Sequence, residues 1–383
     1  MNNILKKISN YIIHKDLDEQ LNGFMPVLDF NQVNNVFLSK NKKILFVIPK
    51  MGKFMGGLTS VLRVAKILSR NEYQIYFASY NSNEINEMSR NAECNLKDYE
   101  GHFITFEEAI KTTFEYVIAT NWQSVYFSKK LKGYKIFFVQ DYEPYFYPLG
   151  ENWLLAKKSY QQNFEIISLG NWNIEQIKQN IKLDDNIFHS VDFPFEKKEY
   201  PTIDRNYFKY SLLTKIKFAV YTKRESKRIP TFLFSFFEKA NGYAKSKGIE
   251  LEIYYFGLNK HEKLNFGINC GRLTKSQIFD LYKECHFGMV ASLTNISLVP
   301  YEMLSTGLPV FEVEDGSYSA FLGNNTATLL DLNYQHFIDQ LITLLKNPNL
   351  IVNQIEQANI ILKDLSWDKT GQQFANILNS LER

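Results

Sequence analysis

The sequence predicts an α/β protein built from two halves, each containing a mostly parallel sheet. The chain has 383 residues, which is about twice the length of an ordinary domain. Short apolar runs typical of buried strands alternate with amphipathic helical patterns, as βαβ units require. This alternation stops near residue 200 and starts again after it. Two such halves facing each other would leave a cleft, with ligands expected at the carboxyl ends of the strands.

The composition is that of a globular protein, with 45% hydrophobic and 22% charged residues. Aromatic residues make up 15%, so the cores should be rich in rings. The 44 basic and 41 acidic residues nearly balance, which argues against a dedicated nucleic-acid binder. The three cysteines form no C-x-x-C pair, which argues against a disulfide framework and a cysteine zinc site and favours a reducing, cytoplasmic setting. No apolar run is long enough for a transmembrane helix, and no secretory signal is recognised.

In the first half, β-strands are predicted at residues 44–48, 73–78, 116–119, 135–139 and 165–169. A helix should follow the first of them, with Thr59 or Ser60 as its cap. In the second half, strands are predicted at residues 218–221, 251–256, 287–290 and 310–313, and helices at 231–240, at 276–283 and through Glu302. Residues 191–210 carry two prolines and mixed charges and are expected to link the halves. The two domains are therefore placed at residues 41–200 and 201–365.

Residues 1–40 are predicted to form an N-terminal arm rather than part of a domain. Apolar residues recur at helical spacing between Ile4 and Ile12, with Lys6, Lys7 and Lys15 on the other faces. This indicates a basic amphipathic helix within residues 1–15. Two interpretations are open: the helix docks on the protein's own surface, or it contacts the inner face of a membrane.

A helix through Glu302 is the first candidate binding element. Pro300 suits its first turn, and Gly307 and Pro309 should end it. The free N–H groups at its start, around Ser297 and Leu298, can receive a phosphate. Glu302 can accept two hydrogen bonds from a ribose diol, although a glutamate here could also serve only to complement the helix dipole.

Two segments of the first half are further candidates. Gly56 and Gly57 precede a helix and permit close backbone approach to a donor diphosphate or sugar, but a simple tight turn is an equal interpretation. Asp141 and Glu143 follow a strand and could orient an acceptor hydroxyl. A metal site of the D-x-D kind and surface carboxylates without a role are the other interpretations. Asn121-Trp122 also follows a strand, so it could line the acceptor side or belong to the core.

Taken together, the motifs of the chain resemble one protein family. The segment Pro-x-Glu-x-x-x-x-Gly-x-Pro-Val at residues 300–310 resembles the nucleotide-sugar site of retaining glycosyltransferases of family 4, which have the GT-B fold. Three further segments agree with the family in order and spacing, at residues 43–57, 218–228 and 270–274 with 281–282, and residues 365–367 resemble the start of the family's last helix. Residues 138–148 resemble a bacterial subgroup that includes dTDP-rhamnose-dependent rhamnosyltransferases. The resemblance covers residues 42–383.

The resemblance implies two Rossmann-like, doubly wound parallel-sheet domains facing across a cleft. It also implies that the last helix, residues 366–383, crosses back to the N-terminal domain. The expected activity is transfer of a sugar, with retention and without a metal or other cofactor, from a nucleotide diphosphate to a glycan or lipid-linked glycan in bacterial surface-glycan synthesis. The implied donor-binding residues include Gly271, Arg272 and Leu273, next to the nucleobase, and Asn295, next to the sugar.

The basic segment after residue 221 is the expected catalytic element. Breaking the bond between sugar and diphosphate develops negative charge on the leaving group, and preorganised cations stabilise that charge most in the transition state. Lys223 with Lys227 or Arg228 would supply those cations, and Asp141 is the remaining catalytic candidate. Adjacent residues after a strand need not point the same way, so the choice between Lys227 and Arg228 stays open. A solvated basic loop is the alternative interpretation.

Two residues depart from the family pattern. Thr294 stands where the family usually has a glutamate near the donor sugar. Lys223 stands where the family commonly has an arginine, whose guanidinium is a bidentate fork, whereas the lysine ammonium is a point charge. The threonine leaves the contacts to the donor sugar to Asn295, Ile296 and backbone groups. Two other functions also stay open. A GT-B epimerase would act on a nucleotide sugar without an acceptor, and a non-catalytic binding protein would keep only the fold.

Overall fold

The computed structural model describes residues 24–381, and these form two compact units. Unit 1 comprises the residues up to Ser168 together with Ile177–His189. Unit 2 comprises Leu169–Gln176 together with the residues from Ser190 onward. The basic amphipathic helix predicted within residues 1–15 lies outside the described residues. Within residues 24–381, no helix combines the length and the apolar character needed to cross a membrane.

The first sheet has seven strands in the order β3-β2-β1-β4-β5-β6-β7. Their bounds are β1 Lys43–Ile48, β2 Gln74–Ser79, β3 His102–Ile104, β4 Thr113–Ala119, β5 Lys132–Val139, β6 Glu165–Leu169 and β7 Phe188–Val191. The pairings from β3 through β6 are parallel. The five strands predicted in this half are confirmed. The two that were not predicted, β3 and β7, are the edges of the sheet.

Six helices accompany this sheet: α1 Gly56–Arg70, α2 Ile85–Asn95, α3 Phe106–Lys111, α4 Trp122–Ser128, α5 Glu151–Ser159 and α6 Asn171–Asn180. The predicted cap of α1 is wrong, because the helix begins at Gly56, three residues before Thr59. The hydroxyls of Thr59 and Ser60 instead donate to the backbone carbonyls of Met55 and Gly56, at 3.0 and 3.2 Å. They therefore bond back along the helix, as serine and threonine do inside helices.

The second sheet has six parallel strands in the order β10-β9-β8-β11-β12-β13. The strands are β8 Lys215–Tyr221, β9 Glu250–Phe256, β10 Ile268–Gly271, β11 Phe287–Val290, β12 Val310–Val313 and β13 Thr328–Leu330. The helices are α7 Pro230–Ser246, α8 Lys275–Glu284, α9 Leu298–Ser305, α10 Tyr318–Leu322, α11 Tyr334–Lys346, α12 Pro348–Lys363 and α13 Trp367–Leu381. The four predicted strands are confirmed, and the predicted helix through Glu302 is α9.

Each sheet reverses its strand order once, and this places the candidate sites. The reversal lies between β1 and β4 in the first sheet and between β8 and β11 in the second. In open α/β sheets, ligands bind at the carboxyl ends of the strands beside such a reversal. The loop after β8, which carries the basic segment, and the loop after β11 therefore meet at the place where a ligand is expected.

Aromatic side chains fill the core of unit 2, as the composition predicts. The Phe218 ring of β8 contacts four other rings, those of Phe237, Phe287, Phe311 and Phe337, with centroids between 5.5 and 5.8 Å away. All five residues are fully buried. Burying rings of this size supplies most of the apolar area that stabilises such a core.

The described part of the N-terminal arm docks on unit 1. The buried Phe24 ring meets Trp122 and Tyr126 edge-on, at centroid distances of 5.3 and 5.1 Å. Further along, the side-chain amide of Asn35 exchanges two hydrogen bonds with the backbone of Lys135, at 2.7 and 2.9 Å. Residues 24–40 therefore cover a side of the first unit rather than extending away from it.

Candidate functional site

Three polar side chains converge in unit 2 where β8, β11 and β12 end. Arg228 is only 5% exposed, and one guanidinium nitrogen donates to the Ala291 carbonyl at 2.6 Å and to Ser292 Oγ at 3.4 Å. Its Nε atom is buried and has no hydrogen-bond partner. Of the two residues between which the sequence left the choice open, Arg228 is the one directed into the unit, while Lys227 is half-buried.

Glu312 closes this cluster from β12. Its carboxylate accepts hydrogen bonds from the Ser292 amide at 2.8 Å, the Ser292 hydroxyl at 2.9 Å and the Val313 amide at 3.0 Å. Burial raises the pKa of Glu312 to about 7, and these donors and the Arg228 charge act in the opposite direction. Glu312 thus fixes the start of the loop after β11 and provides the negative charge that accompanies a buried arginine.

The loop after β11 is further held by the chain that follows β12. The amide and hydroxyl of Ser317 donate to the Ser292 carbonyl, at 2.8 and 3.3 Å, and the same hydroxyl also donates to the Thr294 carbonyl. Gly316 makes this approach possible, because a Cβ there would lie 2.3 Å from the Ser292 carbonyl oxygen. The predicted sugar-side residue Asn295 and the neighbouring Thr294 are buried in this loop.

The N-terminus of α9 follows this loop directly. Ser297 is its N-cap, but its hydroxyl caps no amide and is buried without a hydrogen-bond partner. Leu298, the first residue of the helix, is half-buried. Unsatisfied amides at a helix start attract negative charge. The helix start and the Arg228 guanidinium therefore lie at the same carboxyl-end region of the second sheet, on either side of β11 in sequence.

Glu302 lies in the second turn of α9 and is half-buried. Its carboxylate accepts a hydrogen bond from the Tyr282 hydroxyl at 3.3 Å, and the nearby Tyr200 hydroxyl also lowers its pKa. Burial raises the pKa of Glu302 to about 7. This glutamate is consequently a partly accessible acceptor that is close to its titration point at neutral pH.

Lys223 is an exposed cation of the basic segment. Its ammonium group lies 3.9 Å from the Glu225 carboxylate and 5.9 Å from the centre of the Tyr221 ring, and 46% of its side chain is exposed. Lys223 follows β8, whose end adjoins the end of β11 in the sheet. An ion pair that is long and exposed contributes little, so the charge of Lys223 is accessible to a ligand.

The predicted nucleobase loop follows the edge strand β10. Gly271 has a φ of +75°, and a Cβ there would lie 3.1 Å from the side chain of Lys260. Arg272 is exposed and Leu273 is half-buried. Thr274 then begins α8 with a reciprocal capping box to Gln277. Glycine is needed here because the left-handed conformation is strained for other residues.

In unit 1, the structure brings Gly57 close to the strand end that precedes Asp141. A Cβ on Gly57 would lie 3.5 Å from the side-chain oxygen of Gln140. Gly56 and Gly57 are both exposed at the start of α1. Asp141 itself is only 7% exposed, and its backbone carbonyl accepts from the Tyr160 hydroxyl at 3.3 Å.

The other predicted acceptor-side residues meet at the start of α4. Glu143 is buried, and its carboxylate accepts from the Trp122 amide at 3.0 Å. Trp122 lies beneath Phe24 and donates its ring N–H to the Tyr147 hydroxyl at 3.0 Å. Asn121 caps α4 and donates to the Tyr80 hydroxyl at 2.8 Å. Glu143 and Trp122 therefore hold the loop ends together. Asn121 is the most accessible of the three predicted acceptor-side residues.

Several residues of these sites were not found from the sequence. Glu312 gives the clearest signal that was overlooked, since it is a carboxylate inside a fully buried apolar strand, where charge needs partners. Tyr200, Gly316 and Ser317 carry no motif, and only the fold brings them to the site. Within residues 24–381, no group of three or more histidine, cysteine, aspartate or glutamate side chains is arranged to hold a metal ion.

The chain was compared with protein families, curated proteins and solved structures. No family model and no curated protein matches it. Solved structures do match. HepE from Anabaena, in complex with UDP-glucose, has a TM-score of 0.67 at 12% identity, covering 88% of this chain and 99% of HepE. A glycosyltransferase from Rickettsia africae has a TM-score of 0.65 at 14% identity, covering 90% and 100%.

A third match is WaaG, a glycosyltransferase involved in lipopolysaccharide biosynthesis. Its TM-score is 0.61 at 12% identity, covering 88% of this chain and 99% of WaaG. At identities this low the likeness concerns the fold and not the reaction. The two parallel-sheet α/β units and these neighbours agree with the predicted fold class. The chain has the GT-B fold of nucleotide-sugar glycosyltransferases.

Proposed function

We propose that this chain is a retaining glycosyltransferase whose second unit binds the nucleotide-sugar donor. The observation that carries the proposal is the grouping at the carboxyl ends of β8 and β11. There, the chain after β8 and the chain after β11 hold a buried arginine, an accessible lysine and the start of the helix that bears Glu302, a partly accessible carboxylate. The donor's diphosphate would meet Arg228, Lys223 and the first amides of α9, and its ribose would meet Glu302. The fold neighbours support this, since HepE was solved with UDP-glucose.

The reaction we propose needs no metal and no protein nucleophile. Lys223 and the unpartnered Nε of Arg228 would stabilise the charge that develops on the leaving diphosphate. In a front-face route the acceptor hydroxyl attacks the anomeric carbon on the face from which the diphosphate leaves, and this gives retention. The leaving phosphate itself takes the proton of that hydroxyl. Asp141 and Asn121 of unit 1 would orient that hydroxyl. The acceptor we propose is a glycan or lipid-linked glycan of the bacterial surface, in keeping with the involvement of WaaG in lipopolysaccharide biosynthesis.

Two observations bear on the sugar and the base of the donor, and they point to different nucleotide sugars. Residues 138–148 resemble dTDP-rhamnose-dependent enzymes, which favours rhamnose on dTDP. HepE, by contrast, was solved with UDP-glucose. The two nucleotides differ chemically at the site of Glu302, since a ribose offers two hydroxyls to the carboxylate whereas the 2′-deoxyribose of dTDP offers only one. The contribution of Glu302 to binding should therefore be larger for UDP than for dTDP.

Replacing Glu302 by alanine tests the donor site. If the carboxylate accepts hydrogen bonds from the sugar of the nucleotide, Glu302→Ala should weaken nucleotide binding at least tenfold, which is about 1.4 kcal/mol. The measurement is calorimetric titration of UDP, dTDP and their sugar conjugates into both proteins. Glu284→Ala is the matched control, because Glu284 is an exposed glutamate at the end of α8. Unchanged affinity in a folded Glu302→Ala variant would remove the ribose-binding role.

A further inference from the structure

The Glu302 carboxylate is contacted by two tyrosine hydroxyls from different parts of unit 2. Tyr282, on α8, donates to Glu302 Oε2 at 3.3 Å, and the hydroxyl of Tyr200, in the segment before β8, is near enough to the same carboxylate to lower its pKa. The two tyrosine rings also lie tilted against each other, with centroids 6.3 Å apart. A carboxylate has about four lone-pair sites. Tyr282 occupies one of them, which leaves others for a ligand.

Both tyrosines are fixed by contacts that do not involve Glu302. Tyr282 is fully buried, and Arg205 donates to its backbone carbonyl and to that of Cys285, the latter at 2.8 Å. The backbone carbonyl of Tyr200 accepts from the Ser305 hydroxyl at 2.6 Å, which ties Tyr200 to the end of α9. The backbone of each tyrosine is therefore anchored independently of Glu302.

The charge state of Glu302 depends on these neighbours. Burial is the main influence and raises the pKa of Glu302 to about 7. The Tyr282 and Tyr200 hydroxyls and the Lys275 ammonium act in the opposite direction, and Glu199 adds to the rise. Lys275 is ion-paired with Glu199, so much of its charge is already balanced. The tyrosines are thus the neighbours most directly able to favour the ionised form.

We propose that Tyr200 and Tyr282 are positioning residues that keep Glu302 ionised and oriented toward the sugar hydroxyls of the nucleotide. The inference rests on the proposed function, in which Glu302 binds the donor's sugar. An ionised carboxylate accepts hydrogen bonds only, which suits hydroxyl donors, whereas the protonated acid presents a donor of its own. The tyrosines would act through Glu302 and would not touch the nucleotide.

The expected effect follows from the fraction of Glu302 that is ionised. With a pKa of about 7, half of the carboxylates are ionised at neutral pH. Removing one tyrosine hydroxyl should move that pKa upward. Tyr282→Phe and Tyr200→Phe should therefore each weaken nucleotide-sugar binding at pH 7, by the roughly 2–10-fold that one hydrogen bond of about 0.5–1.5 kcal/mol is worth.

The pH dependence gives the second readout. Because binding needs the ionised form, affinity should fall as the pH drops through the pKa of Glu302. The midpoint should lie near pH 7 in the parent protein and at a higher pH in each tyrosine variant. UDP-glucose and dTDP-rhamnose are suitable probes between about pH 5.5 and about pH 8.5, since neither carries a terminal phosphate with a pKa near 6.

Three comparisons distinguish this positioning role from the general effect of losing a buried hydroxyl. Tyr207→Phe is the control, because it removes a hydroxyl bonded to the Gly307 carbonyl at 2.6 Å and should leave both the affinity and the midpoint unchanged. In a Glu302→Ala background, Tyr282→Phe should have no further effect on affinity.

If Glu302→Ala itself binds normally, the proposed function fails. If Glu302→Ala binds weakly but both tyrosine variants keep the parent affinity and midpoint, the inference about the tyrosines alone is overturned.

Discussion

Replacing Glu312 by alanine is expected to lower the free energy of unfolding of unit 2 by about 3–5 kcal/mol. The Glu312 carboxylate is fully buried and accepts three hydrogen bonds, two from Ser292 and one from the Val313 amide. Without it, those donors are left unsatisfied, and the buried Arg228 loses the nearby negative charge. This is the combination that makes single substitutions severely destabilising.

Scanning calorimetry is the measurement for this prediction. A loss of this size should lower the melting temperature of unit 2 by about 6–20 °C, at roughly 2–4 °C per kcal/mol for a unit of this length. Glu314→Ala is the matched control, because Glu314 follows the same strand but is exposed, and its melting temperature should change little. Equal melting temperatures for the two variants would show that the Glu312 cluster contributes no net stability.

Replacing Lys223 by alanine is expected to lower kcat by about 10²–10³, equivalent to about 2.7–4 kcal/mol of transition-state stabilisation. The Lys223 ammonium is accessible beside the end of β11, and its ion pair with Glu225 is long. If it meets the diphosphate mainly as the bond to the sugar breaks, the rate should suffer more than the KM for the donor.

Steady-state kinetics on a set of variants checks this role. Lys215→Ala is the matched control, since Lys215 is an exposed lysine at the opposite end of β8, and it should keep the parent kcat. Lys227→Ala shows whether the half-buried lysine of the same segment also contributes. Arg228→Lys keeps a charge but loses the planar fork that reaches Ala291, so it should retain part of the rate. A Lys223→Ala variant with kcat within about twofold of the parent would show that Lys223 does not stabilise the transition state.

The strands that the sequence predicts and those that it misses differ in their place in the sheets. All nine predicted strands are interior, where both faces are covered and the residues form continuous apolar runs. The four that were missed, β3, β7, β10 and β13, are the edge strands. They have three or four residues each and are mostly half-buried, so they lack the apolar run that identifies a strand.

The same distinction applies to the candidate site. Glu302 could be predicted because it lies in one short segment between a proline that suits a helix start and a glycine that ends a helix. Arg228 could be placed only within a basic run, since its burial depends on β11 and β12. Tyr200 could not be predicted, because it lies in a segment that reads as a linker and reaches Glu302 only through the packing of α9. Local motifs identify the residues, whereas their partners come from tertiary structure.

The most direct test of the central claim is a turnover assay in excess EDTA. The protein is incubated with UDP-glucose, dTDP-rhamnose and related nucleotide sugars, with and without glycan acceptors, and NMR follows the anomeric proton of the product and the release of nucleoside diphosphate. We expect one donor to release its diphosphate, to do so faster with an acceptor, and to give a product of unchanged anomeric configuration. Conversion of the donor without release would indicate an epimerase. Activity that appears only on adding Mn²⁺ or Mg²⁺ would contradict the metal-free mechanism, and no turnover of any donor would contradict the account as a whole.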